Sequence, residues 1–110
     1  MSFIYIASPY SHPAFSIREQ RFEAVSEYTA SMVKEGIVAY SPIAHSHPLA
    51  ETYGIRGDFA FWAHQNYGML CKASELRVLK LPGWESSEGV EAEIEFAHQC
   101  GIPVLYVDGH

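Results

Sequence analysis

The sequence predicts a doubly wound α/β fold of the flavodoxin or Rossmann-like kind, in which a parallel sheet of about four to five strands carries helices on both faces. Short apolar runs alternate along the chain with amphipathic helical patterns, and the connections between them are short. This alternation is typical of parallel strands joined by right-handed crossovers. The 110 residues, 48% of them hydrophobic and 18% charged, fit a single domain over residues 1–110.

Four apolar runs have the length and composition of buried parallel strands. The first is closed by Ser8-Pro9 and the second by Pro42, and proline ends a strand because it has no N–H group for the hydrogen-bond ladder. In sheets of this kind, ligands bind at the carboxyl ends of the strands. The predicted strands are Phe3 to Ala7, Ile37 to Ser41, Leu76 to Leu81 and Ile102 to Val107.

Three helical patterns lie between these strands. The first opens with a capping box over residues 16–19 and closes at Gly36, the second has Asp58 as its N-cap, and the third runs from Ser87 to Gly101. Residues 42–57 are predicted to form the longest irregular loop, which is a candidate lid or specificity loop.

The charge balance disfavours two classes of partner. With 13 acidic against 7 basic residues, the formal net charge is −6, which argues against binding to nucleic-acid polymers or anionic membranes. The amino-terminal segment has no cationic leader and no apolar run reaches membrane-spanning length, so a cytoplasmic protein is predicted. Cys71 and Cys100 fall on apolar helical positions and are predicted to be buried free thiols in a reducing compartment.

Glu93 is the carboxylate that breaks the amphipathic pattern of the third helix. At helical spacing it lies on the apolar face with Val90 and Ala97, whereas Glu91 and Glu95 share the solvent-facing side. Burial of an unpaired carboxylate costs several kcal/mol or shifts its pKa, so such positions are enriched in catalytic and ligand-binding groups. The alternative is a structural acid paired with a buried Tyr or Arg.

Three other polar residues interrupt apolar segments. Tyr5 carries the polar side-chain atom of the first strand, and its candidate partner is Glu93, although a backbone partner would satisfy it equally. Arg18 and Asn66 interrupt the apolar faces of the first and second helices. Arg18 could instead extend its charge to solvent, and Asn66 could bond to a neighbouring backbone group. Because each helix has one such residue on the face turned toward the sheet, a shared site is predicted.

Further candidates lie next to the strand ends. Ser8 directly follows the first strand, at the edge where ligands bind. Ser87 and Gly89 begin the third helix, where free N–H groups and the helix dipole suit an anion, although Ser87 could be an ordinary N-cap. His45 and His47 alternate on one segment, but no further ligand follows at metal-binding spacing, so His45 is predicted to contact the ligand and no metal is predicted.

Together these residues resemble the nucleoside 2-deoxyribosyltransferase superfamily, and within it a branch of short bacterial and phage proteins. The resemblance covers the whole chain and rests on the opening segment Ile4 to Tyr10, the histidine-containing segment after the second strand, and the run from Leu79 to Glu93. It implies that Glu93 is the nucleophile that attacks the anomeric carbon and that Tyr5 holds Glu93 in place.

The resemblance also implies which residues hold the substrate. The residue corresponding to Ser87 is an Asp in the transferases but a Ser in the similar 2′-deoxynucleoside 5′-monophosphate N-hydrolases, where it contacts the 5′-phosphate. Arg18 falls near the phosphate-binding Arg of that hydrolase branch. A nucleotide is therefore favoured over a free nucleoside.

Two features depart from the superfamily. Asn66 stands where the superfamily usually has an Asp that assists the leaving base or positions the substrate, and an amide cannot deliver a proton as a general acid. The chain also stops at His110, whereas family members have residues beyond the last strand that complete a neighbouring subunit's site. A homodimer or higher homo-oligomer is expected. The segment that one subunit supplies to its neighbour's site would then be shorter than in the family or come from another part of the chain.

The predicted function is that of an N-glycosidase or deoxyribosyltransferase acting on a nucleoside 5′-monophosphate or a nucleoside through a covalent glycosyl–Glu93 intermediate. Tyr5 would orient Glu93, Asn66 would hold the base or sugar, and Ser87 with Arg18 would hold the phosphate. No metal or organic cofactor is required. The alternatives are a nucleotide-binding or sensing module without turnover, which Asn66 favours, and a structural or interaction protein.

Overall fold

The computed structural model describes residues 2–56 and 58–109, and it has the predicted doubly wound α/β fold. The strands are β1 (Ile4–Ala7), β2 (Ala39–Tyr40), β3 (Glu75–Lys80) and β4 (Val104–Asp108). They form one parallel sheet in the order β2-β1-β3-β4. Each strand overlaps the segment predicted for it, and β2 is only two residues long. Met1, Gly57 and His110 lie outside the described residues. The prediction about the end of the chain at His110 therefore also lies outside them.

Helices cover both faces of this sheet, as predicted. They are α1 (Phe15–Lys34), α2 (Pro42–Tyr53), α3 (Phe59–Leu70) and α4 (Glu88–Gln99), with a short 3-10 helix at Trp84–Ser86. Alternate residues of β1 point to opposite faces. Ile6 packs with Val25 of α1, whereas Tyr5 packs with Leu70 of α3 and Val90 of α4. This alternation directs the Tyr5 side chain toward α4, the helix that carries Glu93.

The order of the strands in the sheet reverses direction between β1 and β3, because β2 lies on one side of β1 and β3 lies on the other. From β1 the chain passes through α1 to β2 on one side, and then through α2 and α3 to β3 on the other side of β1. Ligand crevices in doubly wound sheets lie at this switch point, beyond the carboxyl ends of the two strands that flank it. The segments that follow β1 and β3 are therefore the ones expected to form a site.

The prediction of an irregular loop over residues 42–57 is wrong, because most of that interval is α2. The Ser41 hydroxyl accepts a hydrogen bond from the Ala44 N–H at 3.0 Å, and Pro42 occupies the first helical turn, where its missing N–H is not needed. Pro48 lies inside the helix and has no N–H group to donate, which destabilises α2. Packing of α2 against α1 must therefore supply much of the stability of this helix. Gly54 ends α2 with a φ of 67°. This segment is a helical wall rather than an irregular lid.

Two smaller predictions are also wrong. Helix α1 begins before the predicted capping box, and its N-cap Ala14 has no side-chain cap; the Ala14 N–H instead donates to Nδ1 of His12 at 2.9 Å. Cys71 and Cys100 are free thiols but exposed ones. Each follows the last residue of its helix, where the periodicity that predicted burial no longer applies.

The predicted ends of the third helix are confirmed in α4. The Ser87 hydroxyl accepts a hydrogen bond from the Val90 N–H at 3.3 Å, and Gly101 adopts a φ of 72° just past the end. Across residues 2–56 and 58–109, no helix combines the length and apolar character needed to cross a membrane.

Candidate active site at the strand switch point

A cavity of about 430 Å³ lies beyond the carboxyl ends of β1 and β3, at the switch point. Its lining residues come from the segment after β1, helix α2, helix α3 and its N-cap, the end of the 3-10 helix, and the first half of α4. Five of the residues predicted from the sequence are among them, namely Ser8, Asn66, Ser87, Gly89 and Glu93. A cavity of this volume is in the range that holds small molecules.

The buried pair of Glu93 and Tyr5 is the chemical centre of this cavity. The Glu93 side chain is only 4% exposed and Tyr5 is fully buried. The Tyr5 hydroxyl donates a hydrogen bond to Oε2 of Glu93, as the sequence predicted. The sequence also allowed Glu93 to be a structural acid paired with a buried Tyr, and the Tyr5 hydrogen bond fits that interpretation as well. Glu93 also lines the cavity, however, where a ligand can reach it.

Burial controls the protonation of this pair. Removal from water raises the pKa of Glu93 to about 8, and the hydrogen bond from Tyr5 opposes that rise. Burial also raises the pKa of the Tyr5 hydroxyl, with the neighbouring Glu93 charge as a smaller cause. Near neutral pH the Glu93 carboxyl of the free protein therefore holds a proton. Positive charge that develops beside it in the cavity would favour the carboxylate.

Ser8 and Asn66 offer uncharged polar groups to a ligand. Both side chains are buried and both line the cavity. The Ser8 hydroxyl has no hydrogen-bond partner within the described part of the chain. Buried polar groups are nearly always paired, so an unpaired hydroxyl at a cavity wall is available to a bound molecule.

The amino end of α4 closes one side of the cavity. Ser87 is the N-cap of α4, which was the simpler of the two interpretations of this residue. Its hydroxyl accepts a hydrogen bond from the Val90 N–H. Gly89 permits α4 to approach α3 closely, because a Cβ at this position would lie 3.1 Å from Cδ1 of Phe59. First-turn N–H groups of a helix have no partners within the helix, so this end can still accept an anion or a hydroxyl group.

Arg18 does not line the Glu93 cavity. It lines a neighbouring cavity of about 560 Å³ that shares Tyr10, Ser11 and Asp58 with the first. The Arg18 guanidinium donates hydrogen bonds to the carbonyl oxygen atoms of His12 at 2.6 Å and Pro13 at 3.2 Å. A phosphate held by both Arg18 and Ser87 would have to extend across the shared wall.

His45 also lies outside the lining of the Glu93 cavity. Its exposed ring has Nε2 at 3.3 Å from Nε2 of Gln65, and it packs near Tyr40 and Trp62 with ring centroids 5.9 and 6.5 Å away. Trp62 lines the cavity, whereas His45 is not among its lining residues. A direct contact from His45 to a ligand in this cavity is therefore not supported.

Acidic side chains dominate the charge of the Glu93 cavity. Asp58, Glu88 and Glu93 line it, and no Lys or Arg is among its described lining residues. Asp58 is neutralised by Arg56, which donates hydrogen bonds of 3.1 and 2.8 Å to its two carboxylate oxygen atoms. This environment suits a neutral sugar and base and the positive charge of a glycosyl transition state. A phosphate would need the neighbouring Arg18 cavity or the amino end of α4.

Arg21 supports the loops that flank the site, a role that the sequence did not reveal. Its guanidinium donates hydrogen bonds to the carbonyl oxygen atoms of Ser11 at 3.0 Å and Pro82 at 3.2 Å, and so joins the loop after β1 to the loop after β3. Gly83 adopts a φ of 92°, and a Cβ there would lie 2.7 Å from the same guanidinium. Arg21 thus fixes the two loops that flank the switch point. No pattern of periodicity marks a residue that bonds to backbone carbonyls.

A metal centre is not supported in residues 2–56 and 58–109, where no group of three or more His, Cys, Asp or Glu side chains is placed to hold an ion.

Residues 2–108 match a protein family described as a domain of unknown function, DUF1937. The match spans nearly the whole chain, and the chain belongs to this family. No curated protein matches the sequence significantly.

Proposed function

We propose that this member of the DUF1937 family is an N-glycosidase or deoxyribosyltransferase that acts on a nucleoside or a nucleoside 5′-monophosphate. The observation that carries the proposal is the Glu93 carboxyl, which is buried, hydrogen-bonded to Tyr5 and open to a cavity at the switch point. The resemblance to the nucleoside 2-deoxyribosyltransferase superfamily supports the same role for the same two residues. A cytoplasmic location and a homo-oligomeric state accompany this proposal.

The reaction would proceed in two steps. Glu93 Oε1 or Oε2 attacks C1′ of the sugar, the C1′–N bond breaks with its electron pair moving to the base, and a glycosyl ester forms on Glu93. Water or a second base then attacks C1′ and releases Glu93 as a carboxylate. Tyr5 would hold the carboxylate in position, while Ser8 and Asn66 would bind hydroxyl or base groups of the substrate. The anomeric configuration is retained because two displacements occur.

The second candidate function is a nucleotide-binding or sensing module without turnover. The observation that favours it is Asn66, whose amide lines the cavity where an acid would be able to donate a proton to the base. Under this alternative the same cavity would bind a nucleoside or nucleotide but leave its glycosidic bond intact.

A substrate panel separates these functions. We would incubate the protein with ribo- and deoxyribonucleosides and their 5′-monophosphates, measure free base by chromatography, and measure the melting temperature with each compound. Base release from at least one compound is expected. A compound that raises the melting temperature without base release would identify the binding module, because a ligand that binds only the native state stabilises it. If no compound causes base release and none raises the melting temperature, both proposed functions are contradicted.

The pH dependence of base release reports the protonation of Glu93. The kcat/KM value is expected to rise about tenfold per pH unit and to level off near pH 8, because the attacking group must be the carboxylate and its pKa in the free protein is about 8. In Tyr5→Phe the rise should shift to higher pH, because the hydrogen bond from Tyr5 lowers that pKa.

The matched control is Tyr53→Phe, which removes a phenol that is 74% exposed. Its pH profile should coincide with that of the unaltered protein. A profile that levels off near the ordinary carboxyl value of 4.5, or one that Tyr5→Phe leaves in place, would contradict the assignment of the titrating group to Glu93.

A further inference from the structure

We propose that Tyr10, His47 and Glu19 form a hydrogen-bonded chain that supplies the proton to the departing base, with Tyr10 as the immediate donor. This inference rests on the proposed glycosidase or transferase activity and names a catalytic group for it. It addresses a specific need of the reaction, because a base leaves far more readily after protonation and the Asn66 amide has no acidic proton to give.

The chain is formed by a buried histidine held between two helices. His47 is 4% exposed, its Nδ1 lies 2.5 Å from the Tyr10 hydroxyl, and its Nε2 lies 3.3 Å from Oε1 of Glu19 on α1. The ring stacks on Phe22 with a centroid separation of 4.4 Å. Both nitrogen atoms of the imidazole therefore have partners, and a positive charge on the ring would face the Glu19 carboxylate.

Tyr10 is the member of this chain that reaches the ligand space. It follows β1 and lines both the Glu93 cavity and the neighbouring Arg18 cavity. Tyr10 is therefore the residue that connects the buried His47–Glu19 pair to the cavity lining.

The other titratable groups of the Glu93 cavity are less suited to donate a proton. Glu93 is the nucleophile in the proposed reaction. Both side-chain oxygen atoms of Asp58 already accept hydrogen bonds from Arg56. Glu88 is exposed to solvent in the first turn of α4 and has no buried hydrogen-bond partner among the described residues. Tyr10 remains as the lining residue whose acidic hydroxyl is hydrogen-bonded to a buried imidazole.

The proton transfers balance as follows. As the C1′–N bond breaks, the base nitrogen takes the proton of the Tyr10 hydroxyl, and the phenolate that remains accepts a hydrogen bond from Nδ1–H of His47. When water attacks the glycosyl ester, its oxygen bonds to C1′, its proton passes to the phenolate, and Glu93 leaves as a carboxylate. No oxidant, metal or further reactant is needed.

Charged groups from both neighbouring helices face Tyr10. Arg18 and Glu19 approach from α1, and Glu51 approaches from α2. Burial is the main cause that raises the pKa of the Tyr10 hydroxyl, followed by the Glu51 charge, while Arg18 lowers it. A neutral phenol is therefore the resting form at the cavity wall, as a proton donor requires.

The test compares two leaving groups in the same variants. A purine nucleoside or nucleotide that the protein cleaves is paired with its N7-methylated form, whose base is already cationic and leaves without protonation. For a pyrimidine substrate, the partner is a 5-fluorinated analogue, whose base leaves more readily as an anion. The variants are Tyr10→Phe and Glu19→Gln, and Tyr53→Phe is the control phenol on the exposed surface of α2.

In Tyr10→Phe, kcat for the unmodified base is expected to fall about 10² to 10³-fold, the usual size of a general-acid effect, and kcat for the activated base by less than about tenfold. Glu19→Gln should give a smaller loss with the same selectivity. Tyr53→Phe should change neither. Glu19→Gln keeps the test valid if Tyr10→Phe fails to fold, which its melting temperature would reveal.

Equal losses for the two leaving groups would overturn the proposal and assign the chain a structural role between α1 and α2. Unchanged activity in Tyr10→Phe would also overturn it. In both cases the glycosidase itself would stand, because the unaltered protein releases base. Absence of base release from even the activated compounds in the unaltered protein would overturn the proposed function, and this inference with it.

Discussion

Replacement of Glu93 by Gln is expected to reduce base release about a thousandfold or more while the protein stays folded. An amide oxygen is a poor nucleophile and cannot form the glycosyl ester, so the covalent path is lost entirely. Gln has the same shape as Glu, and its side-chain oxygen can still accept the hydrogen bond from Tyr5. The loss would therefore come from the chemistry of one atom and not from collapse of the cavity.

The matched control is Glu91→Gln, which makes the same chemical change on the exposed side of the same helix. Chromatographic measurement of free base should show full activity in Glu91→Gln, and circular dichroism should show the same helix content in both variants. Near-normal base release by Glu93→Gln would rule out the nucleophile assignment.

The second large effect concerns stability. The pKa of Glu93 is about 8 in the folded protein, against an ordinary value of 4.5 for an unfolded chain, so the folded state holds a proton that the unfolded state releases between these two values. The free energy of unfolding must therefore fall as the pH rises from about 5 to 8 and change little from this source above pH 8. The total is as large as about 5 kcal/mol, since each pKa unit corresponds to about 1.4 kcal/mol.

Urea unfolding at pH 5, 7 and 9 measures this effect. The stability of Glu93→Gln relative to the unaltered protein should increase from pH 5 to about pH 8 and change little above it, because Gln has no proton to lose on unfolding. Glu91→Gln should keep a constant difference from the unaltered protein. A constant difference for Glu93→Gln as well would show that the buried carboxyl does not titrate in this range.

The central pair of the site was predictable from one periodicity and one exception. A spacing of 3.6 residues placed Glu93 on the buried face of α4, and Tyr5 was the residue with a polar side-chain atom in an otherwise apolar buried strand. The fold class followed from the alternation of such strands with helical patterns. The face of β1 that Tyr5 occupies, which α4 covers, is known only from the structure.

The errors lie where regular structure starts or ends. Helix α2 contains two prolines and a His-Ser-His run, so its sequence shows little helical preference, and its Ser41 cap and its packing against α1 compensate. The positions of Arg18 and His45 depend on that helix and on the loop after β1, so both residues were assigned to the wrong surroundings. Tyr10 was missed because it lies in the loop after β1, and Arg21 of α1 was missed because its hydrogen-bond partners are carbonyl groups of two loops.

The most direct measurement is the mass of the protein after acid quenching during turnover of a substrate that the panel identifies. A 2′-fluoro analogue of that substrate should prolong the life of the ester, because the electron-withdrawing fluorine slows its hydrolysis. We expect an increase equal to the mass of the sugar or sugar phosphate, located by peptide fragmentation on Glu93. Base release with Glu93 unmodified throughout, or with the sugar on another residue, would contradict the proposed mechanism.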